Sequence, residues 1–134
     1  MRAAGAVTRG RRWAEALMVD TLTVEHPTGA TTLDPDTLAE VPAFATVYAG
    51  PGRIQRTNAM APRDDVVGGH EFGTATVLAQ LPLTATGILP DDRVTVTAVG
   101  TTTDPDLLGL VATVRANLTK THPTKRTLVC EEVA

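Results

Sequence analysis

The sequence predicts an all-β fold: a small β-barrel or sandwich of six to seven strands, with a short N-terminal α-helix and a long loop at about 58–70. Three observations carry that expectation. The chain holds 23 Thr and 15 Val but no Ser, and β-branched side chains suit a pleated, half-buried surface. Strict alternation recurs, as in DTLTVEH at 20–26 and RVTVTAVG at 93–100, which marks a strand with one buried face. Nine Pro and 11 Gly punctuate the chain. Strands then recur roughly every 8–15 residues, the spacing of sandwiches and small barrels.

The first element is a helix at about 8–19. Trp13, Ala14, Leu17 and Met18 share one helical face, which predicts packing on the body. Thr8 is a candidate N-cap, and Gly10 weakens the first turn by about 1 kcal/mol relative to Ala. Arg9, Arg11 and Arg12 fall near the helix start, where the helix dipole disfavours cations. They also interrupt the apolar run that a secretory signal requires.

In 20–26, Leu22 and Val24 point inward, and His26-Pro27 is expected to end the strand. Residues 27–42 carry Pro27, Gly29, Asp34-Pro35 and Pro42, so they read as a loop with one short helical turn near 36–40. Phe44 to Ala49 is a second strand, and Gly50-Pro51-Gly52 is expected to turn it into a third at about 53–57. The stretch NAMAPRDDVVGGH at 58–70 lacks periodicity; a loop this long in a compact domain is usually functional or disordered.

A fourth strand is expected from about Glu71 to Leu81, and a fifth from Arg93 to Gly100 after an Asp91-Asp92 turn. Asp104-Pro105-Asp106 opens a further turn that Gly109 closes. The sixth strand runs from Leu110 to Asn117, with Ala112, Val114 and Ala116 on one face. After a turn at His122-Pro123 comes the seventh, Arg126 to Val133. The expected core is Leu22, Val24, Val94, Val96, Val114 and Leu128.

Length and composition set bounds on function. A chain of 134 residues reads as one domain, 1–134, able to bury roughly two-thirds of its unfolded surface. It is 43% apolar and 20% charged, with a formal net charge of −3, so it lacks the basic footprint of a nucleic-acid binder. No apolar run approaches the roughly 20 residues of a membrane-spanning helix. The single Cys excludes an internal disulfide and the Cys-rich zinc sites, and the absence of Ser excludes a serine nucleophile.

Residues that could carry chemistry are scattered. His26, His70 and His122 have no ligand-type neighbour at the spacing of a metal motif. Cys130 alternates with Leu128 and reads as a small buried hydrophobe. Asp34/Asp36, Asp91/Asp92 and Asp104/Asp106 lie in expected turns, where Asp hydrogen-bonds its own backbone. Asp64/Asp65 lies in the long loop, where its charge serves solubility or a partner. Four aromatics, Trp13, Phe44, Tyr48 and Phe72, are too few and too scattered for a base-stacking groove.

Five strings stand in a familiar order: RRWAEALMVDTLTVEH, VYAGPGRIQ, PDDRVTVTAV, DPDLLGLVATV and KRTLVCEEV. From about Arg11 to Val133 this order resembles small head–tail connector proteins of tailed bacteriophages, of the actinobacterial-phage type. The nearest type is the head-closure, or stopper, protein of the neck. The family commonly has Gly-Asp in the turn before the fifth strand, where this chain has Asp91-Asp92.

The resemblance implies a virion protein with no catalytic role, cofactor or metal. It implies a β-barrel that assembles into a ring, usually a hexamer, between the portal and adaptor above and the tail below. Packaged DNA then passes through or is blocked without sequence-specific binding, and the expected locations are the virion neck and, during assembly, the host cytoplasm. The candidate channel or plug loop carries Asn58, Met60, Arg63, Asp64, Asp65, Gly68, Gly69 and His70, with the glycine pair as hinge. Arg9, Arg11, Arg12, Arg53 and Arg56 are candidate partner contacts. A tail-completion or tail-terminator ring is the near alternative. A ligand-binding or enzymatic β-barrel, and a nucleic-acid-binding barrel, are alternatives from other classes; the first would need a convergent polar pocket and the second a salt-dependent grip on DNA.

Overall fold

The computed structural model of the chain describes residues 2–57, 66–67, 70–71 and 76–133. It is a small all-β fold with one N-terminal helix. The elements are α1 (Arg2–Ala16), β1 (Asp20–Leu33), β2 (Glu40–Thr57), β3 (Val66–Val67), β4 (His70–Glu71), β5 (Thr76–Leu81), β6 (Arg93–Ala98), a 3-10 turn (Pro105–Leu107), β7 (Val111–Leu118) and β8 (Arg126–Glu132). Six strands close into an antiparallel barrel in the order β1-β2-β5-β8-β7-β6, and β3 pairs with β4 apart from it. Closure pairs every barrel strand on both sides over part of its length, which answers the edge problem of an open sheet.

The inward positions follow the alternation. Leu22, Val24, Val77, Ala79, Leu81, Val94, Val96, Ala112, Val114 and Leu128 are at most 1% exposed, so all six expected core residues are buried. Cys130 joins them. Met18, Ala85, Ile88 and Leu110, from the connections, are also buried.

The structure corrects several sequence expectations. The helix spans Arg2–Ala16, not 8–19. Its Ala-rich first turns propagate without a cap at Thr8, whose hydroxyl donates to the Ala4 carbonyl from mid-helix. Tight bonds from Leu17 N to Ala14 O and from Met18 N to Glu15 O end it. The expected apolar face does not pack: Trp13 is 75% exposed and Leu17 is exposed, and only Met18, beyond the helix, is buried. A narrower stripe faces the body, at Val7, Gly10 and Ala14. A Cβ at Gly10 would sit 2.7 Å from Thr124 Cγ2, so the glycine permits the close approach.

His26-Pro27 does not end β1, and 27–42 is not a loop. Pro27 pairs with Phe44 and Leu33 with Glu40, with a bulge between Pro27 and Thr31. The bulge absorbs Gly29, whose φ is +79°, and lets pairing resume. Gly50-Pro51-Gly52 is not a turn either: Gly50, Pro51 and Gly52 pair with Leu22, Thr21 and Asp20. The missing proline N–H is tolerated because β2 joins β5 only from Arg53 onward, so Pro51 has one ladder neighbour. The expected second and third strands are therefore one, β2.

Of the expected fourth strand, Glu71 belongs to β4, Thr76–Leu81 form β5, and residues 72–75 lie outside the described residues. His70 and Glu71 pair with Val67 and Val66 inside the stretch read as a loop, and the barrel strand begins at Thr76. The fifth stops at Ala98, short of Gly100. In β7 a register shift between Val114 and Ala116 turns Ala116 out of the expected face. Asn117, opposite Leu128, takes the inward direction and donates Nδ2 to the Ile88 carbonyl.

Candidate interaction surface

The longest departure from the barrel is an arm. β1 meets β6 only from Thr21 to Glu25, and β2 meets β5 only from Arg53 to Thr57. Residues 26–33 and 40–52 therefore each have a backbone edge with no strand beside it among the described residues. From Thr28 onward β1 is wholly exposed.

The arm is fixed at both ends. At its base Arg93 NH2 donates to Glu25 Oε1 at 3.1 Å, and its guanidinium lies 3.6 Å from the Phe44 ring centroid, a cation–π contact. His26 Nδ1 lies 2.5 Å from Asp92 Oδ1, and the fully buried Asp92 carboxyl also accepts from the Leu89 amide through Oδ2. At the tip the Asp36 amide donates to Asp34 Oδ1 at 2.9 Å, the Asx turn of such acidic pairs. That bond holds the Asp34 carboxyl below its ordinary value. Leu38 N bonds to Asp34 O, and Asp34 N to Ala39 O. Leu38 takes φ +56° and is 72% exposed, beside the exposed Leu33 and Val41. The expected helical turn near 36–40 is this hydrogen-bonded turn.

A second feature lies at the other end of β1. A groove of about 440 Å³ runs between the end of α1 and the 3-10 turn, lined by Leu17, Val19, Ile54, Leu107, Arg53 and Asp20 among others. Asp20 is buried and engaged: its Oδ1 accepts from Gly100 N at 2.9 Å and from the Thr103 hydroxyl at 2.5 Å. Asp104 caps the 3-10 turn by accepting from Asp106 N. Arg53 is the cation of this lining.

The residues singled out in the sequence fall in different places. Arg9 and Arg12 are exposed on α1, and Arg11 Nε donates to the Pro123 carbonyl, pinning the helix to that turn. Arg56 is bound within the chain, NH2 to Glu132 Oε1 at 2.5 Å, so its charge is already matched. Asn58, Met60, Arg63, Asp64, Asp65, Gly68 and Gly69 lie outside the described residues. His70 belongs to β4. His122 sits in its expected turn with φ +55°. Cys130 is buried, and burial pushes its thiol up to about 12. Asp91/Asp92 serves its turn: the backbone of both residues bonds to Val114.

Among the described residues no three His, Cys, Asp or Glu side chains group to hold a metal, and no helix is long and apolar enough to cross a membrane. Sequence reading missed the arm and the groove. The acidic tip was visible as a turn signal, but nothing local showed that 27–42 pairs.

No curated protein matches this sequence. The fold is similar to the solution structure of protein SF1141 from Shigella flexneri 2a, with a TM-score of 0.55 and 16% identity, covering 86% of this chain and 92% of that one. A family model, DUF6093, described as a family of unknown function, matches residues 10–131. With nearly all of the barrel and the C-terminal part of the helix inside that match, the chain belongs to the DUF6093 family.

Proposed function

We infer that this chain is a structural protein of the neck of a tailed bacteriophage, a head-closure subunit that assembles into a ring between the portal and adaptor and the tail. The observation that carries the reading is the division of labour in the fold. A closed barrel supplies the stability, while a paired arm with exposed Leu33, Leu38 and Val41 and a helix with exposed Trp13 contribute little to the core. A cluster of exposed apolar side chains on a projecting element, as Leu33, Leu38 and Val41 form at the arm tip, marks a surface made for another protein. The order of strings from RRWAEALMVDTLTVEH to KRTLVCEEV supports the phage assignment by resemblance.

The role is mechanical in this reading. A formal charge of −3 leaves the ring without the counterion-release affinity that would stall DNA in a basic channel. Residues 58–70, which include Val66, Val67 and His70 of the β3–β4 pair, supply the plug or channel lining. Arg9 and Arg12, exposed on α1, are available to acidic groups on a neighbouring subunit.

Cryo-electron microscopy of the tailed particles made by the genome that encodes this chain tests the reading. The expected result is a ring of this β-domain between adaptor and tail. A ring at the tail end of the neck would reassign the chain to tail completion, and its absence from the particle would overturn the virion reading.

A further inference from the structure

The arm tip and the groove are complementary, and one chain cannot satisfy both. The tip, residues 33–41, carries Asp34, Asp36 and Glu40 and no Lys or Arg, a formal −3, around the exposed Leu33 and Leu38. The groove is apolar at Leu17, Val19 and Leu107 and holds Arg53. The end of α1 borders it, and Arg9 and Arg12 stand exposed on that helix. Arg12 lies one turn before Ala16, a lining residue, and so on the same helical face; Arg9 lies a further turn back. The lining also holds two carboxylates, Asp20, buried and bonded to Gly100 N and the Thr103 hydroxyl, and the exposed Asp104, bonded to Asp106 N. The positive charge that meets the tip therefore comes from Arg53 together with Arg9 and Arg12 of α1. Asp20 and Leu33 are the two ends of β1, separated along a strand by roughly 40 Å. The arm is braced at its base by Arg93 and Asp92, so it does not fold back.

We propose that the arm tip of one copy docks in the groove beneath α1 of a second copy, with Leu38 on the apolar floor and Asp36 and Glu40 against Arg9, Arg12 and Arg53. The contact is head-to-tail: each copy offers a tip and a groove, so it closes into a ring if the rotation permits and otherwise propagates. It rests on the assembly part of the reading above, not on the phage assignment.

The test is sedimentation equilibrium of the full chain with charge-reversal variants chosen on exposed residues. Wild type is expected to self-associate at low salt and to weaken at about 0.5 M salt, where charges are screened within a few ångströms. D36K/E40K and R9E/R12E are each expected to weaken association about tenfold or more, through lost attraction and added repulsion. The chain carrying all four changes is expected to regain it. Circular dichroism of each variant confirms folding. A wild-type chain that stays monomeric at millimolar concentration and low salt overturns the proposal, as does failure of the four-fold variant to recover. Self-association without a ring in particles would sink the neck reading and leave this contact standing. A particle ring in which Leu38 and α1 do not meet would do the reverse.

Discussion

Replacing Gly52 with alanine tests the point where β2 runs straight through Gly-Pro-Gly. A Cβ at this position would overlap Leu22 Cδ1, and it would lie 2.7 Å from Leu22 Cγ and 3.0 Å from Leu81 Cδ2. Carbon atoms settle at about 3.5–4.0 Å, so both leucines must move, and both are fully buried. The backbone cannot yield easily, because Gly52 is paired with Asp20 and the next residue with Gln80. Pushing each leucine off its rotamer costs about 0.5–1.5 kcal/mol, or about 1–3 kcal/mol for the pair. Alanine recovers about 0.4–1 kcal/mol by restricting the unfolded chain. The net loss is about 1–2 kcal/mol, which lowers the unfolding midpoint of a domain this size by roughly 3–8 °C. Thermal and urea denaturation read it directly. Gly5→Ala is the control: a Cβ there meets only Arg9 NH1 at 3.8 Å, and removing a helical glycine favours the helix by about 0.5–1 kcal/mol. An unchanged or raised midpoint for Gly52→Ala would refute the continuous strand and restore a turn at 50–52.

Two further perturbations probe the barrel ends and its lining. Asp92→Ala removes the acceptor of the Leu89 amide and the partner of His26, and is expected to cost about 1–3 kcal/mol; Asp92→Asn, which keeps an acceptor oxygen, should cost less, and equal losses in urea unfolding would deny the Leu89 bond its role. Cys130 is expected to resist a thiol reagent at pH 8 in the native protein and to react fully in urea, since burial raises its thiol to about 12 from 9.0. A folded-state value above the unfolded one makes its contribution to stability complete below pH 9.0 and lost progressively as pH rises toward about 12. Cys130→Ala should flatten that alkaline loss, and an unchanged slope would show that the thiol takes no part.

Local sequence determined the strands and the core of this protein. Leu22 and Val24, Val94 and Val96, Ala112 and Val114, Leu128 and Cys130 declare their inward face by alternation alone, because a strand's side chains change sides at every residue. The acidic pairs at 34/36, 91/92 and 104/106 declare their turns because Asp competes for its own backbone amides. Tertiary structure decided the rest. Gly50-Pro51-Gly52 has the chemistry of a turn, and it extends only because Leu22 and Leu81 fill the face that Gly52 leaves empty. His26-Pro27 has the chemistry of a strand end, yet pairing with Phe44 and the Arg93 and Asp92 contacts carry β1 onward into the arm. Trp13 and Leu17 have the spacing of a packed helical face and stay exposed, since Val7, Gly10 and Ala14 take the contact instead. One extra residue in β7 reverses Ala116 and Asn117, a slip that the period of two cannot foresee. The candidate surface was hidden for the same reason. Its acids and arginines are plain in the chain, but a turn signal reports what a segment does alone, and the arm and groove exist only through partners tens of residues away.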